Sequence, residues 1–247
     1  MTNETDRGWL TRLEEQSRRK QEQFMDGIAA KLGRDRIRSA PEHPFRGAPD
    51  FWKEFNWPLE ERITQFTANF EAAGGHVVRL SRREEVTRFI RDKAMEMSAA
   101  TILRQQEEAL DRLGLEESLP GALVLSWNEA ADTDWRAVAA RADFGVVMAD
   151  YAAAYTGSIT VKSAPHKGRS VSLLPTVLMA IIPIERMVTR LGEILVQFDQ
   201  AGREQLPAGI HFISGPSRSA DIENDLTIGV HGPGIVYALL VDSYDEK

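Results

Sequence analysis

From residue 58 onward, short apolar runs alternate with stretches of helical periodicity, and no other feature constrains the fold as strongly. A helix over Leu59–Ala73 stops at Gly74-Gly75 and leads into a strand, His76–Leu80. Ser81-Arg82-Arg83-Glu84 has the form of a capping box, which predicts a helix to about Glu96. A strand at Thr101–Leu103, a helix around Glu107–Leu113 and a strand at Ala122–Leu125 follow. Asp132 is placed to cap an alanine-rich helix running to Arg141, before a strand at Phe144–Met148. Short apolar strands spaced by helices predict βαβ units and a largely parallel sheet.

After Asp150 the pattern turns β-rich, with Ser158–Lys162, Ser170–Leu173 and Val177–Ile182 close together. A hairpin or mixed-sheet insertion is expected there. Glu185–Gln200 reads as an amphipathic helix with Met187, Leu191, Ile194, Leu195 and Phe198 on one stripe. Ile235–Val241 supplies a last strand.

The N-terminal region is different. Residues 7–32 read as a helix, with Trp9, Leu10 and Leu13 near one end, Phe24, Ile28 and Leu32 near the other, and Gly33 as its stop. Between them, Glu14–Gln23 has no apolar residue, so that section faces solvent or a polar partner. From Ala40 to Pro58 the prolines Pro41, Pro44, Pro49 and Pro58 exclude a helix, while Phe45, Phe51, Trp52, Phe55 and Trp57 add large apolar surfaces. An aromatic arm packed on its own domain or on a neighbouring subunit fits that composition. The division expected is an N-terminal helix and arm, residues 1–57, and an α/β domain, residues 58–247.

Composition narrows the function. A net charge of −7 argues against nucleic-acid binding, which needs a basic excess. The absence of cysteine excludes disulfides, a thiolate nucleophile and an iron–sulfur cluster held by this chain's own thiolates. MTNETDRGWL does not have the form of a signal peptide, and the longest apolar run, Leu173–Pro183, is interrupted by Pro175 and Thr176. A cytoplasmic protein is the expectation.

Four constellations can carry chemistry. In Ser214-Gly215-Pro216-Ser217, followed by Ser219 and Asp221, a strand leads into a polar turn, with Ser219 placed to cap a short helix. This is a ligand loop at a strand's carboxyl end or a structural junction. In Gly229-Val230-His231-Gly232-Pro233, the histidine between glycines is a candidate acid or base, or a turn residue bonded to local backbone. Asp150, with Thr156-Gly157-Ser158 downstream, faces a ligand or caps a turn. His166-Lys167-Gly168-Arg169 offers cations to a carboxylate or phosphate, or is exposed loop charge. His211, Asp221, Glu223 and His231 form no recognisable metal-ligand pattern.

Taken together these residues resemble the lactate utilization protein C family, the LUD-domain proteins. The resemblance rests on Ile213-Ser214-Gly215-Pro216-Ser217 with Ser219-Ala220-Asp221-Ile222-Glu223, and on Gly229-Val230-His231-Gly232-Pro233. Thr156-Gly157-Ser158 and Gly168–Pro175 match in order and spacing, and Phe24, Ile28-Ala29 and Leu32-Gly33-Arg34 look like the family's N-terminal helix. It covers roughly residues 24–242.

The resemblance implies a three-layer αβα sandwich similar to the sugar-phosphate isomerase and CoA-transferase superfamily. It implies a part in oxidising L-lactate to pyruvate, beside partner proteins that carry iron–sulfur clusters. No cofactor of this chain itself is evident. The residues expected to meet a ligand are Ser214, Gly215, Pro216, Ser217, Ser219, Asp221, Thr156, Gly157, Ser158, Arg169, Gly229 and Gly232, with His231 and Asp150 as candidate catalytic groups. The alternative is a free-standing enzyme acting on a phosphorylated or CoA-linked small molecule. At Tyr155 the family's glutamate is replaced, and a tyrosine cannot serve as a carboxylate nucleophile or base at neutral pH. Covalent CoA-transferase-like chemistry is therefore not carried over to that position.

Overall fold

The computed structural model describes residues 3–39, 55–128, 132–220 and 226–244. It forms two compact units, Met1–Trp52 and Lys53–Lys247. Among the described residues the first holds one long helix, α1 (Asn3–Lys31). Gly33, at φ +62°, lies just beyond it, and the Arg34 N–H returns to the Ala29 carbonyl at 3.2 Å, closing the helix as expected. Trp9, Leu10, Leu13, Phe24 and Leu32 are exposed on α1 and just past its end.

The second unit is built on a six-stranded parallel sheet in the order β1-β12-β7-β4-β2-β3. These strands are β1 (His76–Arg82), β2 (Thr101–Arg104), β3 (Leu123–Ser126), β4 (Phe144–Met148), β7 (Val177–Pro183) and β12 (Ile235–Ser243). All residues of β4 and β7 are buried, as befits central strands covered on both faces. On one face lie α3 (Arg83–Glu96), α4 (Glu108–Asp111) and α5 (Leu115–Ser118). Val86, Ile90, Leu110 and Leu115 from these helices pack on Ile102, Phe144, Val146, Met179 and Leu239 of the sheet.

The other face carries α2 (Leu59–Ala72), α6 (Trp135–Arg141) and α7 (Ser170–Leu173). It also carries a second sheet in the order β8-β5-β6-β9. Its strands are β5 (Tyr151–Ala153), β6 (Ser158–Lys162), β8 (Met187–Val188) and β9 (Ile210–Ile213). Phe66 and Phe70 of α2 and Ile159 and Val161 of β6 pack with Val147, Leu178, Ala180 and Ala238 of the large sheet. A helix α8 (Leu191–Ala201), a two-stranded ribbon, β10 (Arg218–Ala220) with β11 (Leu226–Ile228), and two single 3-10 turns, Ile184–Arg186 and Arg203–Gln205, complete the described elements. The expected α/β class with a parallel central sheet flanked by helices is what forms.

Several local expectations are corrected. The capping box at Ser81 and Glu84 is absent, because β1 continues through Arg82 and Glu85 instead accepts the Ser81 N–H at 2.8 Å. Asp134, not Asp132, caps α6, accepting the Ala137 N–H at 3.1 Å. Ser170–Leu173 is a helical turn rather than a strand, packed so tightly on β4 that a Cβ at Gly145 would sit 2.1 Å from the Val171 carbonyl oxygen. Met187 leaves the predicted helical stripe, since β8 pairs with β5 there and α8 starts only at Leu191.

The end of the aromatic arm packs on its own domain. Trp57 donates its backbone N–H to the buried Thr189 hydroxyl at 3.0 Å, and that hydroxyl donates to Asn56 Oδ1 at 2.8 Å. Phe45, Phe51 and Trp52 lie outside the described residues. Among the described residues no helix is long and apolar enough to cross a membrane.

Candidate functional site

The two halves of the sequence signature meet in one polar junction. Antiparallel pairing of β6 with β9 places Ile159 opposite Ile213, so Ser158 and Ser214 fall side by side with their hydroxyl oxygens 2.8 Å apart. Two glycines let this junction close against the C-terminal end of α2. Gly157 has φ +54°, and a Cβ there would lie 2.7 Å from the Phe70 nitrogen. Gly215 has φ +97°, and its Cβ would lie 2.9 Å from the Ala73 carbonyl oxygen. Asn69 ties the same helix to the loop, donating to the carbonyls of Ala154 and Tyr155 at 3.0 Å each. Arg218 reaches across to the Ala73 carbonyl.

The second half folds back on the first. Ser217 donates its N–H to the Pro233 carbonyl at 2.9 Å and accepts the Gly229 N–H at 2.9 Å. A Cβ on Gly232 would lie 3.1 Å from the Ser217 Cβ and 3.7 Å from the Leu173 carbonyl oxygen, so the upstream element meets them here. Gly234 completes the contact by donating to the Thr176 carbonyl at 3.0 Å. His231 stands exposed at the tip of this turn, with no hydrogen-bond partner among the described residues.

Two expectations change. Ser219 does not cap a helix: it lies in β10, paired with Thr227 of β11, because the chain turns back as a ribbon. Asp221, with Ile222 and Glu223, lies outside the described residues. Ser214 does follow a strand, but β9 belongs to the small sheet. Relative to the parallel sheet the junction sits at the amino ends of β7 and β12, where Gly234 and Ile235 both donate to the Thr176 carbonyl.

The carboxyl ends of β2, β3 and β4 hold the remaining candidates. Asp150 accepts the Lys162 N–H at 2.7 Å and pairs with the ammonium of Lys167 at 3.1 Å. Lys167 is buried, and Glu107 completes its neutralisation at 3.3 Å. A buried ammonium flanked by two carboxylates is compensated charge. The basic stretch 166–169 thus divides, with Lys167 turned inward and Arg169 exposed.

Arg169 lines an open groove of about 690 Å³ with Trp127, Ser163, Pro165, Lys167, Gln205 and Pro207 among its walls. Its Nε donates to His211 Nε2 at 3.1 Å, which requires that nitrogen to be unprotonated. Ser172 Oγ lies 3.5 Å from His211 Nδ1. Burial first, and the Arg169 charge second, hold the His211 pKa below its ordinary value. The sequence alone singles out His211 only as a possible metal ligand. Its meeting with Arg169 depends on the β6–β9 register and leaves no local signal. Among the described residues no group of three or more His, Asp or Glu side chains is placed to hold a metal ion. Tyr155 is exposed, its ring 5.3 Å from that of Phe55 and 6.1 Å from that of Trp57.

A parallel sheet covered on one face by helices and on the other by helices and a small sheet, with a serine- and glycine-lined junction, defines an α/β sandwich of the LUD type. The LUD domain model matches residues 63–241, and the chain belongs to that family. A lactate utilization protein C of Halalkalibacterium halodurans is 34% identical over 224 residues, covering 87% of this chain and 94% of its own. One from Shouchella clausii is 32% identical, covering 89% and 96%. A crystal structure of a DUF162 family protein from Deinococcus radiodurans shares the fold, with TM-score 0.54 and 20% identity over 75% of this chain and 99% of its own. The resemblance read from the signature is thereby shown.

Proposed function

We propose that this chain is a cytoplasmic component of an L-lactate utilization system, taking part in the oxidation of L-lactate to pyruvate beside iron–sulfur partner proteins. The observation that carries this reading is the similarity, across nearly the full length of both chains, to proteins named lactate utilization protein C. The sequence supports the division of labour. A chain without cysteine supplies no thiolates to a cluster, so the redox centres belong to the partners. The junction of Ser158, Ser214, Ser217 and Gly229–Pro233 is the surface we assign to a small carboxylate or to a partner's cofactor, with His231 exposed beside it to exchange or donate a proton.

Deletion of the gene in the source organism tests the reading. Growth on L-lactate is expected to stop while growth on glucose continues, and the intact gene is expected to restore it. Undiminished growth of the deletion strain on L-lactate would overturn the proposal.

A further inference from the structure

We propose that the groove at the carboxyl ends of β2 and β3 binds an organic oxyanion, a phosphate ester or carboxylate on an apolar or aromatic body larger than a three-carbon acid. Arg169 is its charge-recognising residue and His211 positions Arg169. The inference goes beyond the lactate reading and rests on different residues.

The groove's dimensions set the size of the ligand. Small-molecule sites enclose about 300–1,000 Å³, and about 690 Å³ falls in the middle of that range. A three-carbon acid leaves most of such a space unfilled. The walls set the character of the body. Trp127, Ala164, Pro165, Pro207 and Ala208 present apolar surface, interrupted by the polar side chains of Ser170 and Gln205. Trp127 is held in place, its indole N–H donating to the Pro165 carbonyl at 2.9 Å, and Gly168 packs so closely on its ring that a Cβ would overlap it.

Charge accounting then singles out Arg169. Lys167 also lines the groove, but Glu107 and Asp150 already neutralise it, and Lys162 lies 3.4 Å from the same Asp150. Arg169 has no carboxylate partner among the described residues. His211 engages only its Nε, which leaves both Nη groups of a planar fork to meet an anion's oxygens side by side. The imidazole holds the guanidinium by an uncharged acceptor, so its positive charge is retained in full. A Cβ on Gly209 would lie 3.3 Å from Arg169 Cδ and from His211 Nε2, so the chain passes close to both members of the pair. A fork held in advance loses less conformational freedom on binding.

Calorimetric titration of the purified full-length chain tests the proposal with four probes. AMP and phenylpyruvate carry the oxyanion on an aromatic body; inorganic phosphate and L-lactate carry it without one. At least one of the first pair is expected to bind about tenfold or more tighter than either of the second. AMP alone binding identifies phosphate esters as the class, and phenylpyruvate alone identifies carboxylates. Arg169→Gln is expected to weaken that binding about 10- to 100-fold, the range of a charge-assisted hydrogen bond, and Arg169→Lys to restore only part of it. His211→Ala is expected to weaken it less. His211→Gln, whose amide oxygen can accept from Arg169 Nε, recovers most of that loss, which a merely structural role would not produce. Arg169 is exposed, so its variants keep the native circular dichroism and melting transition. Equal binding of all four probes, no binding of either aromatic probe, or unchanged affinity in a folded Arg169→Gln protein would each overturn the proposal. Growth on lactate plays no part in this experiment, so the two readings can fail separately.

Discussion

The hydroxyl oxygens of Ser158 and Ser214 lie 2.8 Å apart, although the residues are 56 positions apart in the chain. Neither is paired by chance, since each begins or follows a strand of the β6–β9 ladder. Ser158→Ala and Ser214→Ala are each expected to lower stability by about 1 kcal/mol, the usual net scale of a neutral hydrogen bond. The double variant should cost less than the sum, with a coupling of about 0.5–1.5 kcal/mol. Urea unfolding of all four proteins measures it, and strict additivity would mean that the hydroxyls do not interact.

Lys167 is the group whose removal is expected to do most damage outside the apolar core. Lys167→Met takes the cation away from Glu107 and leaves Asp150 with Lys162 alone, at 3.4 Å. Breaking a buried pair by deleting one partner costs about 3–5 kcal/mol. The urea midpoint should fall accordingly, and Lys167→Met with Asp150→Asn should be more stable than Lys167→Met alone.

Glycine replacement distinguishes close approach from open space. Gly157→Ala places a Cβ 2.7 Å from the Phe70 nitrogen at φ +54°, and such backbone strain costs about 1–3 kcal/mol before any clash is relieved. Gly192, inside α8 with nothing within 4 Å of its Cβ position, is the control. Gly192→Ala is expected to raise stability by about 0.5–1 kcal/mol through helix propensity. Thermal melting reports both, with opposite signs.

His211 predicts a pH effect. Its folded pKa is lowered, chiefly by burial and then by Arg169, so the unfolded chain takes up the proton first as pH falls. The associated stability is complete above the unfolded value of about 6.5 and declines as pH drops from there toward the folded pKa. Wild type should therefore lose stability faster than His211→Gln below about pH 6.5. Denaturant titrations at a series of pH values measure the two slopes, and parallel curves would contradict the assignment.

How much of this was legible in the residues depends on how local the cause was. Phe144–Met148 reads as a buried strand because a continuous apolar run between polar loops has one good solution, and all five residues are buried. Ser170–Leu173 alternates polar and apolar residues as a half-buried strand would, yet coils into a turn, because its neighbour β4 offers Gly145 as a seat for the Val171 carbonyl, a fact written well upstream in the chain. Met187 fits a helical stripe by spacing alone. The strand that claims it, β5 with Ala152 opposite, is invisible to local periodicity. The same holds at the site. Glycines 157 and 215 announced a turn, but that both press on one helix end follows only from the fold. Arg169 was legible as a cation, whereas the imidazole that aims it comes from a strand whose register no short motif encodes.

The strand order carries one more consequence. β12 lies between β1 and β7 and is hydrogen-bonded to both, so the edge strand β1 is cut off from the rest of the sheet until residues 235–243 exist. On the ribosome, strands made first can bury only part of their apolar faces, and β1 has no neighbour in the large sheet at all. Folding is therefore gated by synthesis of a single late segment. A chain released before residue 235 would present an unpaired β1 and the open edge of β7 to chaperones and proteases rather than a shortened native protein.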